Sequence, residues 1–292
     1  MCRLASDPVQ AWAPAVQALI GNYNIPGARA AERILRWISI ESCGNQCSID
    51  ASRSAEIAAG WVPDAGVMQI YFSSPNQVIN GATSGSLRAS CIGVTQIWPT
   101  LTDDQRVAYL VPQLGWLQGA IASAQAKLNA VGADWQERDQ WRWYKLVTHG
   151  IPALGKCALW MATQALGRAP SGWDELKSTF QNLTMDNVRT AAADPADNGC
   201  TASVYQRHSD GTPFSDSELQ SWWNTGWNNA EEMDLPDEAS LMTNLNEIIM
   251  DAISPGDQPG ISGYYGIILG VLGIAAGAAA GYYVSKRYLH SA

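Results

Sequence analysis

Charge is what this chain has least of. Only 15% of its residues are charged, against about 25% in ordinary soluble domains, and part of the deficit falls in the C-terminal stretch. Lys and Arg total 18 against 27 Asp and Glu, and they nowhere gather into a run. That excludes the basic stripe with which a protein neutralises nucleic-acid phosphates, so no nucleic-acid partner is expected. Histidine is as sparse, with three in the whole chain. The close cysteine pair Cys43 and Cys47 has no second CxxC or HxxxH to complete a four-ligand set, so no metal or cofactor is expected. Residues 1–14 lack the basic segment and apolar run of a secretory signal.

What the chain does have is apolar surface. Hydrophobic residues make up 47% of it, with 13 Trp against 3 Phe. Trp packs in cores and also stacks on sugar faces, so the count alone assigns no role. Six cysteines occur, at 2, 43, 47, 91, 157 and 200. Two readings stand. Outside the cytosol a bridge would join Cys43 or Cys47 to Cys91; otherwise the cysteines are small buried thiols.

The C-terminus carries the one long apolar run. No charged residue occurs from Gln258 to Ser285, and Gly263–Val284 is long enough to cross a hydrocarbon core of about 30 Å. Tyr264 and Tyr265 flank one edge, Tyr282 and Tyr283 the other, and Lys286-Arg287 follow. Aromatic belts and a basic stop predict a transmembrane helix over 258–285, which contacts the bilayer through residues 259–285. The tail 286–292 then lies on the cytoplasmic side and the large domain on the periplasmic side. Gly266, Gly270, Gly273, Gly277 and Gly281 are spaced as GxxxG, which lets two such helices approach closely and self-associate.

The rest reads as mostly helical. Asn24-Ile25-Pro26 opens a helix that Gly44 ends, with Ile34, Leu35, Trp37, Ile38 and Ile40 on its apolar face. Residues 45–100 read as loops with short strands. Thr102-Asp103-Asp104-Gln105 and Ser215-Asp216-Ser217-Glu218 are capping boxes that start helices, the first running to about Leu128. Further helices are predicted over 137–147 and 153–166, with a short one after Ser171. Residues 191–212 are rich in Asp, Asn, Gly and Pro and read as a loop. The expected divisions are a domain over 1–190, a helical extension and linker over 191–257, the anchor and the tail. The helix bearing Trp222, Trp223 and Trp227, and the amphipathic one over Leu241–Ile253, are expected to pack on protein, because the second is too acidic for an anionic bilayer.

Two segments carry chemistry. Glu41-Ser42 ends the helix whose last turn is Trp37-Ile38-Ser39-Ile40, and Gly66-Val67-Met68-Gln69-Ile70 follows after a loop. A carboxyl emerging from an apolar helix is partly desolvated, which favours its neutral form and suits a general acid. This pair of segments resembles the lytic transglycosylases of the lysozyme superfamily, whose motif is a helix-terminal Glu-Ser, a loop and Gly-Leu-Met-Gln-Ile. The resemblance covers about residues 24–167. Here the loop is longer and holds Cys43 and Cys47. The family's later Tyr-Asn-Ala-Gly element has its best counterpart in Val147-Thr148-His149-Gly150, which lacks the Tyr, so Tyr144 and His149 are both candidates for orienting Glu41.

The resemblance implies a mainly α, α+β lysozyme-like soluble domain, here followed by a single C-terminal transmembrane helix. It implies cleavage of peptidoglycan glycan strands between N-acetylmuramic acid and N-acetylglucosamine. Glu41 would be the single catalytic acid and base, giving a 1,6-anhydro product. Ser42, Met68, Gln69, Ile70, Tyr144 and His149 would bind the glycan, with Met68, Gln69 and Ile70 on its floor. Hydrolysing relatives use a second carboxylate, for which Asp50, Glu56 and Asp64 are candidates. The alternatives are a hydrolytic muramidase and an inactive membrane-anchored peptidoglycan-binding or channel component. A C-terminal anchor behind an outward domain with no leader points to a protein carried in a bacteriophage virion for local cell-wall penetration during genome ejection.

Overall fold

The computed structural model describes residues 7–48, 58–59, 61–88, 101–149, 151–193, 200–201, 204, 212 and 214–238. The chain divides into two compact units, Met1–Leu235 and Pro236–Ala292. The anchor, its GxxxG glycines, the Leu241–Ile253 helix, Cys91, Asp50 and Glu56 all lie outside the described residues. Among the described residues no helix is long and apolar enough to cross a membrane.

The first unit is mainly helical. In chain order its elements are α1 (Asp7–Gln10), α2 (Ala13–Ile20), α3 (Ala30–Ser42), the antiparallel ribbon β1 (Asp64–Ala65) and β2 (Ile70–Tyr71), and α4 (Ser84–Arg88). They continue with α5 (Asp103–Ala130), α6 (Glu137–His149), α7 (Pro152–Leu166), α8 (Trp173–Gln181), α9 (Met185–Ala193) and α10 (Asp216–Glu231). In the ribbon Asp64 pairs with Tyr71 and Ala65 with Ile70. Helix α6 is the hub: α5, α7, α8 and α10 all pack against it. It is buried on nearly every side, through Trp141, Trp143, Tyr144, Leu146 and Val147.

Two apolar clusters form. The larger holds Trp12, Ile34, Trp37, Ile38, Leu114, Trp143, Leu154 and Trp227 among others. The smaller lies under the ribbon and holds Val62, Ala65, Ile70, Phe72, Ala82 and Leu87. Tyr109 and Trp116 of α5 touch both. Each fully buried Ile or Trp contributes on the order of 2–3 kcal/mol. Ile38→Ala would therefore loosen α3 at its most buried turn, at a cost of about 2–5 kcal/mol.

Both capping boxes form as the sequence predicts, Thr102 with Gln105 and Ser215 with Glu218. Helix α3 starts later than predicted, at Ala30 rather than beside Pro26. The Glu137 carboxylate, from the start of α6, accepts from the Ala28 and Arg29 amides at 2.9 and 3.2 Å. A capping group from another helix leaves no trace in the local sequence. At its other end α3 stops on Cys43, whose φ of 55° is left-handed, with Gly44 following at 78°. The Gly44 amide then reaches back to the Ile38 carbonyl, a Schellman-type end.

The expected boundary at 190 moves to Leu235. Helix α10 packs on α6 and buries Leu219, Trp223 and Trp227. Within the stretch read as a linker, Cys200 is disulfide-bonded to Cys157 of α7, and Trp223 Nε1 donates to the Val204 carbonyl. Cys43 and Cys47 are disulfide-bonded as well. No free cysteine occurs among the described residues, so the buried-thiol alternative does not hold for them.

Candidate active site

Helix α6 carries a row of basic groups along one face: Arg138, Arg142, Lys145 and His149. Their spacing of four, three and four residues keeps them on one side of a helix. This row faces α3 and the turn that ends α10. Its first half is structural. Asp234 accepts from Arg142 Nε and Nη2 at 2.9 and 2.7 Å, and from Arg138 Nη2 at 2.6 Å. From α3, Arg33 Nη1 donates to the Met233 carbonyl and Arg36 Nε to the Glu232 carbonyl. The turn 232–234 thus locks the register of α3 against α6.

The second half of the row meets Glu41. Lys145 Nζ is in direct contact with Glu41 Oε1, and His149 Nδ1 is 3.2 Å from the same oxygen. The three side chains are 3% (Lys145), 11% (Glu41) and 15% (His149) exposed. Lys145 also sits 4.6 Å from the Trp37 ring centroid, a distance at which a cation is attracted to the ring face. Trp37, Trp116 and His149 stand edge to face around the group, with centroids 6.1 to 6.3 Å apart.

The imidazole proton can be assigned. His149 Nε2 bonds the Gln69 main-chain carbonyl, which can only accept, so Nε2 carries the hydrogen. Burial, and then the Lys145 charge, push His149 down to about 4. The ring is therefore neutral near pH 7, and its Nδ1 presents a lone pair to Glu41. A hydrogen bond at that position requires the proton to sit on the carboxyl. Burial also pushes the Lys145 ammonium down to about 7, against the pull of Glu232.

The turn between the two strands is built to support this group. Ser42 Oγ donates to the Val67 carbonyl at 2.8 Å and accepts from the Gly44 amide. Gly66 has a φ of +85°, and a Cβ there would run into Gln113 Oε1. That oxygen accepts from the Met68 amide at 3.1 Å. Gln69 has a φ of 50°, and its side-chain amide donates to the Gly66 carbonyl at 2.7 Å. Strain at Gln69 aims its carbonyl at His149 and so ties the turn to α6.

The residues expected at the site separate into two groups. Glu41, Ser42, Gln69 and His149 are brought together. Met68 and Ile70 were expected on a glycan-lining floor, but both are fully buried, one in each apolar cluster. On a turn packed against two cores, side chains of that size go inward. Tyr144 is not brought to Glu41. Its hydroxyl donates to Gln125 Oε1 at 2.5 Å on the α5 side of α6. Asp64 of β1 is near enough to His149 to favour its protonated form.

Lys145, Gln113 and Trp116 are the members that the motif did not supply. The signal for Lys145 was present, since it is one of four basic groups at helical spacing, flanked by Trp143, Tyr144, Leu146 and Val147. A separate concavity of about 900 Å³ lies between α7 and α9, lined by Trp160, Met161, Gln164, Leu183 and Asn187 among others. It has no titratable lining and so no part in acid–base chemistry. No cluster of His, Cys, Asp or Glu suited to a metal occurs among the described residues.

No family model matches the chain, and neither a curated protein nor a solved structure matches it.

Proposed function

We propose that this chain is a peptidoglycan lytic transglycosylase of lysozyme-like fold, with Glu41 as its single acid and base. The observation that carries the reading is the Glu41 carboxyl. It lies at the end of a buried helix, within 3.2 Å of a neutral imidazole nitrogen, beside a turn joined to that helix end through Ser42 and Val67. A protonated Glu41 gives its proton to the oxygen between N-acetylmuramic acid and N-acetylglucosamine as that bond breaks. The substrate's own N-acetyl carbonyl steadies the cationic centre. The Glu41 carboxylate then removes the proton of the muramic 6-hydroxyl as its oxygen bonds to C1, leaving a 1,6-anhydro ring and a recharged Glu41. No second carboxylate is needed.

Glu41→Gln is nearly isosteric and cannot give or take the proton. It should cut the lysis rate of purified cell walls by about 10²–10⁴-fold while the circular dichroism spectrum stays unchanged. Retained lysis would remove Glu41 from the mechanism.

Hydrolysis is the second reading, favoured by Asp64, the described carboxylate whose charge reaches His149. In that case Asp64 would help to activate water, and the products would carry reducing ends.

The setting we propose is a single-pass protein with its catalytic unit on the periplasmic side, carried in a phage virion and inserted through residues 259–285 during genome ejection. Disulfides at Cys43, Cys47 and Cys157–Cys200 fit an oxidising compartment. Deleting residues 259–292 should abolish flotation with liposomes and leave wall lysis intact. Equal flotation of both forms would move the membrane contact to another part of the chain.

A further inference from the structure

Lys145 has no place in the mechanism above, yet it is the group closest to the carboxyl that carries it. Its amine is almost wholly buried. It touches Glu41 Oε1 and lies over the Trp37 ring. A buried lysine is retained in a core only with a partner, because desolvating a lone ammonium is costly. Arg142, one turn earlier on the same face, spends its charge on Asp234. Lys145 spends its charge on the one carboxyl that must alternate between protonated and ionised forms.

We propose that Lys145 is the positioning residue for the Glu41 proton: the two groups hold one proton between them, and Lys145 fixes the pH above which Glu41 has none to give. The inference rests on the reading of Glu41 as the acid. In the resting site the proton moves from Lys145 Nζ to Glu41 Oε1, so that an ammonium and a carboxylate become an amine and a carboxylic acid. The acid donates to the glycosidic oxygen, the carboxylate takes back the 6-hydroxyl proton, and Lys145 remains the neutral amine throughout. No proton enters or leaves over the cycle. His149 offers Nδ1 to the same oxygen.

The surrounding charges are compatible with this assignment. From the end of α10, the Glu232 carboxylate pulls on Lys145, and its charge acts on Arg36 of α3 as well. On α6 itself Arg142 is engaged with Asp234, and His149 is neutral. On β1, Asp64 acts on His149. The only ionisable residue of α7, Lys156, is exposed, and on α8 Asp174 turns to Arg142 while Lys177 pairs with Glu231. Burial then brings Lys145 to about 7, where an amine and a carboxylic acid can exchange a proton near neutral pH.

The test is a titration of the intact chain by NMR with labelled Glu carboxyls and Lys amines, the Glu41 signal being assigned by its absence in Glu41→Gln. In the wild type the Glu41 carboxyl and the Lys145 amine should report the same step near pH 7. In Lys145→Met the carboxyl loses its cationic neighbour, and the pH at which it first ionises should rise by about 1–3 units. The alkaline limb of wall lysis should move the other way, below 7, because removing a base from a coupled pair lowers the pH at which the last proton leaves. Lys145→Arg keeps a charge that cannot be neutralised, and should leave a folded protein at least tenfold slower at pH 6. A Glu41 carboxyl silent near pH 7 in the wild type overturns the proposal, as does a wild-type pH profile in Lys145→Arg. The titration needs no turnover. Shared titration without muropeptide release would sink the enzyme reading and keep the pair; release with independent titrations would do the reverse.

Discussion

The two ends of the basic row on α6 make a controlled comparison. Both lie on one helix, both face α3, and both hold a carboxylate between two basic side chains. At Asp234 the bases are guanidiniums, which stay charged at any accessible pH. Burial works against the Asp234 charge, but hydrogen bonds from Arg138 and Arg142 outweigh it and hold the carboxyl below its ordinary value. At Glu41 the bases are an amine and an imidazole, brought by burial to about 7 and about 4. The first end is saturated and fixed. At the second, burial makes both bases easier to neutralise. One helix therefore serves as clamp and as part of the proposed active site, and the choice of base separates the two ends.

Reciprocal substitutions should break the comparison cleanly. Glu41→Gln should show the largest effect, the 10²–10⁴-fold loss of lysis given above, while its unfolding free energy changes by no more than about 1–2 kcal/mol, because Lys145 is readily neutralised. Asp234→Asn takes the hydrogen-bonded carboxylate from buried Arg142 and half-buried Arg138 and should cost about 3 kcal/mol in urea denaturation, with lysis per folded molecule falling only as far as α3 slips against α6. If Asp234→Asn abolished activity at full stability, the clamp would belong to the active site and the division would fail.

Acid unfolding should sharpen the comparison on a smaller scale. His149 titrates lower in the folded chain than its ordinary value of about 6.5, so the unfolded chain binds the proton first. Stability should therefore fall as pH drops from about 6.5 towards 4. Asp234 titrates below its ordinary value, so its contribution is complete above about 4 and is lost below that. His149→Gln should flatten the upper window and leave the lower one. Asp234→Asn should do the opposite. Denaturation midpoints measured across pH 3–7 read both, and the same change in both variants would mean that the two ends do not titrate separately.

Legibility in the sequence followed the range of the interactions. Capping boxes at Thr102 and Ser215 are local four-residue devices, and the helices they start were readable. Glu41-Ser42 and Gly66–Ile70 were readable as a motif because each is a short contiguous run, and Gly66 holds a φ of +85° against Gln113. The start of α3 was not, since its cap is the Glu137 carboxylate from α6. The end of the first unit was not, since a loop-like composition over 191–212 conceals the Cys157–Cys200 bond. Met68 and Ile70 carry motif positions but point into two cores, which a pattern of residue types does not reveal. Lys145 was the costliest omission. Its role depends on a contact between helices, and only the four-three-four spacing of basic residues along α6 hinted at it.

The central claim is that Glu41 alone gives and retakes the proton. Mass analysis of muropeptides released from purified peptidoglycan tests it most directly, with the full chain and with Glu41→Gln side by side. The account predicts 1,6-anhydromuramic ends from the wild type and none from the variant. Reducing ends alone from the wild type, or the same products from both proteins, would contradict it.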